Sequence, residues 1–302
     1  MTKALPALDL LALLDSWQLC LRAERKAEET VDGYGRGVRQ FVAWCEAEGV
    51  EPAVDKQLVQ RWVAELLAAG REAATVVSRQ LAMKRFSAWL TAEGELDHDP
   101  LLGIARPKID VKVVESLTDD ELKAMIKACA GRELRDRRDE AILRLMVESG
   151  ARASEIVGMK VADVDLTRLI AVIYRGKGGK GRIVPFGAQT AQAIDRYLRL
   201  RRGHVLADSS PALWLGERGK GFSYDGLYRT LKYRAEKAGV ENFNPHKLRN
   251  TAATRWLARG GSEGGLMAVA GWSRRDMIDR YTAATASERA AAEARGLGLG
   301  DL

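Results

Sequence analysis

The sequence predicts a mainly α-helical protein with one small β-sheet, made of a helical domain followed by a mixed α+β domain. Residues 1–96 read as successive amphipathic helices, because apolar side chains recur every three or four positions. That period lapses over residues 97–116, where Pro100 and Pro107 interrupt it, and we expect an extended linker there. Residues 117–302 then combine helices with short β-rich runs, which predicts a second domain.

Four helices are predicted in the first domain. The clearest of them begins at Thr30 and carries Val38, Phe41 and Cys45 on one face. Gly49 follows its last turn, a position where glycine often ends a helix. The four helices are predicted over residues 8–24, 30–45, 57–67 and 75–90.

The second domain starts with a helix signal. Thr118 and Glu121 have the spacing of a capping box, in which each side chain bonds the backbone N–H of the other residue. Another helix is predicted over residues 140–148, ending near Gly150, and a new helix begins around Arg152.

Two β-rich segments follow, over residues 169–174 and 182–186. The sequence RGKGGKG separates them, and its glycines permit the chain reversal of a hairpin. Pro185 has no N–H to donate, so its strand is expected at a sheet edge. Helices return from Ala188 onward.

The composition is that of an ordinary globular protein, with 302 residues and 46% hydrophobic side chains. The formal net charge is +7. This excess of Lys and Arg suits a polyanion such as nucleic acid, because the cations replace counterions along a phosphate backbone. A merely basic protein would explain the charge equally well, so the charge alone decides little.

The three cysteines are Cys20, Cys45 and Cys129, an odd number without a CxxC pair. This pattern argues against a disulfide framework or a zinc site and fits a reducing compartment. No stretch approaches the roughly 18 uncharged apolar residues that a membrane-spanning helix needs. We therefore expect a cytoplasmic protein with no membrane contact and no metal site.

The segment Asn244–Arg249 carries the sharpest local motif. Pro245 suits the first turn of a helix, and His246 and Arg249 then lie on the same helix face. A His and an Arg near a helix N-terminus make an anion site with a titratable group beside it. A lone HxxR is more often a cap or a surface pair, so this motif cannot stand by itself.

Three other elements accompany it. Arg152 follows a glycine break at a helix start, with Glu155 three residues later. Lys177 lies in the turn between the two predicted strands. Trp272 precedes Tyr281 by nine residues.

These elements, in this order, resemble the catalytic domain of the tyrosine recombinase family, which includes phage integrases and the Xer recombinases. The resemblance covers roughly residues 118–290, and the helical segment 9–95 is similar to the family's core-DNA-binding, SAM-like domain. The chain departs from the family pattern at Ala151, where Leu is commoner, and at Asn250, which is often His. Trp272 stands at the second histidine position, a replacement also found in parts of the family.

The resemblance implies a role for each motif residue. Tyr281 would attack a DNA phosphodiester and form a 3′-phosphotyrosine bond, which conserves the bond energy and needs no cofactor. Arg152 and Arg249 would hold the phosphate oxygens, since planar guanidinium groups donate paired hydrogen bonds. The other roles are base for His246, general acid for Lys177, packing and one hydrogen bond for Trp272, and orientation of a neighbour for Glu155.

The expected partner is double-stranded DNA carrying attachment sites. Five basic residues of the first domain could line a DNA-facing surface, although a solvated charged face explains them nearly as well. By resemblance, the protein would form a homotetramer on synapsed DNA, be a monomer or weak oligomer when free, and use an accessory directionality protein. The tail segment 287–296 would be a terminal helix that packs on a neighbouring protomer. The five residues are Arg36, Arg39, Arg79, Lys84 and Arg85.

The sequence predicts a site-specific recombinase, with integration and excision of a phage or mobile element as the first interpretation. Xer-type resolution of chromosome dimers is the second, because Xer proteins usually keep both histidines. A type IB topoisomerase would use the same tyrosine chemistry without sequence choice. A DNA-binding regulator that has lost activity is the remaining alternative, and the retained charged positions argue against it.

Overall fold

The protein is described by a computed structural model that covers residues 8–108, 114–174, 181–217 and 219–282. The chain forms two compact units, Met1–Val111 and Lys112–Leu302. Each unit encloses a separate hydrophobic core. The structure is mainly helical with one small sheet, which confirms the predicted fold class.

The four predicted helices of the first unit are confirmed. Asp9 caps the first of them, accepting hydrogen bonds from the N–H groups of Leu11 and Ala12. Large aromatic side chains fill the core between the helices, and the rings of Trp17 and Phe86 lie 5.0 Å apart. The helices are α1 (Leu10–Ala23), α2 (Glu28–Ala47), α3 (Lys56–Ala68) and α4 (Ala73–Ala92).

Helices α2 and α4 approach each other closely at Gly37. A Cβ atom placed on Gly37 would lie 2.6 Å from the Cβ of Ala82, well inside van der Waals contact. Gly33 lies on the same helix one turn earlier, and a Cβ there would meet no atom within 4 Å. Gly37 is therefore required by packing, whereas Gly33 is not.

Part of the segment predicted as a linker packs on the first unit. Leu101 and Ile104 are buried in its core, because their apolar side chains would otherwise be exposed to water. Gln80 donates a hydrogen bond to the carbonyl of Ala105 over 3.1 Å. These contacts extend the helical unit beyond residue 96.

The second unit begins as predicted. The capping box of Thr118 and Glu121 is present at the start of α5 (Asp119–Ala128). Helix α6 (Leu134–Ser149) ends at Gly150, which adopts a left-handed conformation with φ of 59°. Helix α7 (Ala153–Val157) follows directly.

The small sheet has the order β1-β2-β3 and is antiparallel throughout. Strands β2 (Ile170–Ile173) and β3 (Arg182–Pro185) form the predicted pair, and Pro185 lies on an edge strand as predicted. Strand β1 (Val164–Asp165) was not predicted, because two residues are too few to show a pattern. Residues 175–180 between β2 and β3, including Lys177, lie outside the described residues.

Three of the remaining five helices in the described part of this unit pack against α6. A buried charge network joins one of them to α6, since Asp139 on α6 accepts hydrogen bonds from Arg138 and from Arg234 over 2.8 Å. The segment 287–296, predicted as a terminal helix, lies outside the described residues. The helices are α8 (Ala188–Arg201), α9 (Tyr224–Lys237), α10 (Pro245–Ala258), α11 (Glu263–Ala270) and α12 (Asp276–Thr282).

All three cysteines carry free thiols, and Cys45 and Cys129 are buried. Burial raises the pKa of the Cys45 thiol to about 11 and that of Cys129 to about 12. Both thiols are therefore protonated at neutral pH. In the part of the chain that the structure describes, no helix is long and apolar enough to cross a membrane.

The contact at Gly37 generates a stability prediction with a control in the same helix. Gly37→Ala should lower the free energy of unfolding by about 1–3 kcal/mol, because the added methyl group forces α2 and α4 apart. Gly33→Ala should raise it by about 0.5–1 kcal/mol, because Ala favours the helix and meets open space. Urea unfolding measures both changes, and two shifts of the same sign would contradict the packing argument.

Candidate active site

The first group of the site is an ion pair at the start of α7. Arg152 immediately precedes this helix and follows the left-handed turn at Gly150. The carboxylate of Glu155 accepts a hydrogen bond from the backbone N–H of Arg152 over 2.8 Å. It also accepts one from the Nη1 of the Arg152 side chain over 2.9 Å. Glu155 thus caps its own helix and holds the Arg152 side chain.

A second guanidinium, that of Arg182, binds the same carboxylate. Its Nη1 and Nη2 lie 3.0 and 2.6 Å from the two oxygens of Glu155, and its Nε donates to the carbonyl of Val269 over 2.7 Å. Burial opposes ionisation of Glu155, but the hydrogen bonds from Arg182 and Arg152 outweigh it and lower the pKa of this carboxyl. Arg182 therefore connects β3 to α7 and to the end of α11.

Helix α10 contributes His246 and Arg249. Asn244 caps this helix, and Pro245 occupies its first position as predicted. The buried Arg249 side chain donates to the carbonyls of Gly150 and Ala270, the latter over 2.7 Å. Burial, followed by the charge of Arg152, lowers the pKa of Arg249 to about 10, so the group remains charged at neutral pH.

Three of the predicted catalytic side chains share one open cavity of about 330 Å³. Arg152, His246 and Arg249 line it, although they are up to 97 positions apart in the chain. Tyr224 and Tyr228 of α9 line the same cavity. Two guanidinium groups, an imidazole and two phenols around one opening form a site suited to an anion.

The surroundings of His246 favour its neutral form. His246 lines the cavity and is exposed to solvent. Partial burial lowers the pKa of His246, and the positive charges of Arg249, Arg152 and Arg280 lower it further. The imidazole is therefore neutral at pH 7 and has a free ring nitrogen.

Trp272 and Tyr281 form a stack beside Arg249. Trp272 is buried and follows Gly271, which ends α11 in a left-handed conformation with φ of 67°. The guanidinium of Arg249 lies 5.3 Å from the Trp272 ring centre. The Tyr281 ring stacks on Trp272 with centres 5.3 Å apart and planes 17° apart. The buried indole N–H of Trp272 has no hydrogen-bond partner among the described residues.

The hydroxyl of Tyr281 is held by Asn250. It donates to the Oδ1 of Asn250 over 2.7 Å. Burial raises the pKa of Tyr281, while the charges of Arg249 and Arg280 act in the opposite direction. The phenol is therefore a protonated hydrogen-bond donor in this structure.

The basic residues suggested for DNA contact lie on α2 and α4. Arg36, Arg39 and Arg85 are exposed, and Arg79 is half-buried. The ammonium group of Lys84 instead donates to a backbone carbonyl, that of Ile104, over 3.1 Å. The three exposed arginines are therefore accessible to solvent, whereas the ammonium group of Lys84 is bonded to the backbone.

Sequence reasoning missed three residues of the site. Tyr224 and Tyr228 carry a signal that could have been used, because residues four apart on a helix share a face. Arg182 carries no such signal. Its place beside Glu155 follows from the packing of β3 against α7 and α11, which no local pattern encodes.

Comparisons with known proteins show the family of the chain. Residues 115–288 match the phage integrase family, and residues 14–94 match the phage integrase N-terminal SAM-like domain. The tyrosine recombinase XerC of Azotobacter vinelandii is 32% identical over 251 residues, covering 81% of this chain and 82% of that protein. The tyrosine recombinase XerD of Bifidobacterium longum is 32% identical over 249 residues, covering 78% and 80%.

The fold has solved counterparts as well. The structure of the Tn1549 transposon integrase in complex with transposon right-end DNA superimposes with a TM-score of 0.73. The match covers 94% of this chain and 100% of that chain at 15% identity. The chain therefore belongs to the phage integrase family of tyrosine recombinases. Within that family it is a site-specific DNA recombinase, as its sequence predicted.

The charges around His246 generate a prediction that needs no DNA. The pKa of His246 should lie below the ordinary value near 6.5, and Arg152→Gln should raise it by removing a like charge. Imidazole NMR signals followed through a pH titration measure both values. Arg199→Gln, on the exposed face of α8, is the matched loss of charge and should leave the His246 titration unchanged. If Arg152→Gln leaves the pKa of His246 unchanged, the charge of Arg152 does not act on the imidazole and the prediction is wrong.

Proposed function

We propose that the chain cuts and rejoins duplex DNA at a phosphate held in the cavity of Arg152, His246 and Arg249. The observation that carries this proposal is the convergence of these three side chains on one opening. Lys177 and Trp272 complete the proposed catalytic set, and Tyr281 is its nucleophile. Glu155 acts through the side chains that it orients.

The two arginines supply the electrostatic part of the reaction. Negative charge spreads over the non-bridging phosphate oxygens in the transition state, and each guanidinium can donate two hydrogen bonds to them. Arg249 is buried, so its charge is less screened than that of an exposed arginine. Removal of one such donor typically costs about a hundred- to a thousand-fold in rate.

Proton transfers fall to His246 and Lys177. About one phenol in a thousand is ionised at neutral pH, so Tyr281 needs a base or a strongly positive site. A neutral His246 can accept the phenol proton as the oxygen of Tyr281 attacks phosphorus. Lys177 donates a proton to the leaving 5′-oxygen, and the products are a 3′-phosphotyrosine bond and a free 5′-hydroxyl. The indole N–H of Trp272 is available to donate to a phosphate oxygen.

The helical unit is proposed as the core-DNA-binding part of the protein. Its match to an N-terminal SAM-like domain and the exposed Arg36, Arg39 and Arg85 support this role. Duplex DNA with attachment sites is the proposed partner, with a homotetramer on synapsed DNA and an accessory directionality protein. A cytoplasmic location is part of the same proposal, supported by the free thiols.

The biological role that we favour is integration and excision of a phage or mobile element. Asn250 and Trp272, at positions where Xer proteins usually have histidines, support it. Resolution of chromosome dimers is the second candidate, and the 32% identity to proteins named XerC and XerD favours it. Recombination of two different sites would support the first role, and recombination restricted to two copies of one site would support the second.

The nucleophile is tested by trapping the covalent intermediate. A nicked duplex carrying a site that the protein selects from a random-sequence library should form a protein–DNA adduct, because the broken strand diffuses away. Tyr281→Phe should abolish the adduct while leaving site affinity unchanged. Tyr233→Phe is the matched control that keeps the adduct, because Tyr233 is exposed on α9 and does not line the cavity. Denaturing gel electrophoresis measures the adduct. An undiminished band in Tyr281→Phe would reject this tyrosine, and relaxation of a plasmid without the site would indicate a topoisomerase.

The general acid is tested with an altered leaving group. Lys177→Ala should slow cleavage of an ordinary phosphodiester by about a hundred-fold or more, in the range of general acid catalysis. A substrate with sulfur at the 5′-bridging position needs no proton on its leaving group. Lys177→Ala should therefore cleave this substrate at nearly the rate of the wild-type protein. Single-turnover adduct formation measures both rates. Equal impairment on the two substrates would assign Lys177 another role.

A further inference from the structure

The side-chain amide of Asn250 is bonded on both sides. Its Oδ1 accepts the hydrogen bond of the Tyr281 hydroxyl over 2.7 Å. Its Nδ2 donates to the backbone carbonyl of Glu115 over 3.0 Å. Asn250 itself is buried. Because the acceptor and the donor belong to one planar amide, the position of Glu115 determines which atom faces Tyr281.

The segment around Glu115 is held along one face of α10. The carboxylate of Glu115 pairs with the ammonium group of Lys247 over 2.7 Å. Two residues further, the N–H of Leu117 donates to the hydroxyl of Thr251 over 2.8 Å. Lys247, Asn250 and Thr251 are three and four positions apart, so they share this face. Asn250 therefore connects the segment 115–117 to Tyr281, through one hydrogen bond to each.

The contact keeps the phenol in its protonated form. An amide oxygen accepts a hydrogen bond but does not take up the proton at neutral pH. A hydrogen bond to the neutral form of an acid disfavours its ionisation. The cavity of the proposed reaction is lined by Arg152, His246 and Arg249, whereas the described partner of the Tyr281 hydroxyl is Asn250. In this arrangement the nucleophile donates its proton to an amide oxygen and not to the proposed base.

We propose that Asn250 is a positioning residue that couples the segment 115–117 to the nucleophile. With residues 115–117 seated on α10, Asn250 holds Tyr281 in a protonated resting position. When the segment lifts from α10, the amide loses its second bond and releases the phenol for attack. This inference rests on the proposed role of Tyr281 as the nucleophile.

The resting position is tested first on the free protein. Tetranitromethane nitrates tyrosines through the phenolate, and mass spectrometry of peptides compares Tyr281 with the exposed Tyr224 as internal reference. Asn250→Leu and Asn250→Ala both remove the acceptor, and Ala is well tolerated within a helix. Each should raise the Tyr281 to Tyr224 ratio about three- to ten-fold, the factor of one net hydrogen bond. An unchanged or lower ratio in a folded variant overturns the proposal.

The coupling between the segment 115–117 and Tyr281 is tested by a double-mutant cycle. Glu115→Gln weakens the ion pair with Lys247 and leaves the residues that contact DNA or Tyr281 intact. It should raise nitration of Tyr281 in the wild type by a smaller factor than Asn250→Leu. In the Asn250→Leu background, Glu115→Gln should cause no further rise in nitration of Tyr281, because the coupling passes through the Asn250 amide that this variant lacks. Additive effects would overturn the coupling.

Cleavage provides the functional readout. On the selected nicked duplex, Asn250→Leu should form the adduct about three- to ten-fold faster in a single turnover with unchanged DNA affinity. Its unfolding midpoint should fall, because both hydrogen bonds of the amide are lost. A purely structural role predicts slower cleavage with a lower midpoint. Slower cleavage with an unchanged midpoint also overturns the proposal. An adduct in Tyr281→Phe would instead refute the proposed nucleophile, so the two failures are distinguishable.

Discussion

The architecture of the site depends on one buried carboxylate, that of Glu155. It accepts hydrogen bonds from Arg152 and Arg182 and caps the helix from which it projects. Several guanidinium groups meet within this small volume, and their mutual repulsion would separate them without a buried negative charge. Glu155 supplies that charge without lining the cavity, whereas Arg152 lines it. A single acidic residue thus permits a concentrated positive field.

Backbone carbonyls also stabilise the positive charge of the buried guanidinium groups. Arg249 donates to the carbonyls of Gly150 and Ala270, at the ends of α6 and α11. The last carbonyls of a helix lack partners within it and carry partial negative charge, so they suit a cation. These bonds also fix distances between segments that are far apart in sequence. The residue that is proposed to hold the phosphate therefore also assembles the pocket.

The stack of Arg249, Trp272 and Tyr281 connects this framework to the nucleophile. Trp272 replaces a possible histidine with a large ring that contacts both neighbours. The ring restrains the plane of Tyr281, while Asn250 restrains its hydroxyl. A proton acceptor is then needed from another element, and the one that we propose is the neutral His246 on α10. Two of the departures from the family pattern, at residues 250 and 272, thus both contact the Tyr281 side chain.

The sequence by itself determined the helices, the capping box at Thr118 and the edge strand at Pro185, because periodicity, caps and proline act within a few residues. It also singled out Arg152, His246 and Arg249 through motifs of fixed spacing. Only the tertiary structure decided that Arg182 joins Glu155 and that Asn250 holds Tyr281. Those contacts join residues 27 and 31 positions apart. They depend on how β3, α7, α10 and α12 pack, and no local propensity specifies such packing.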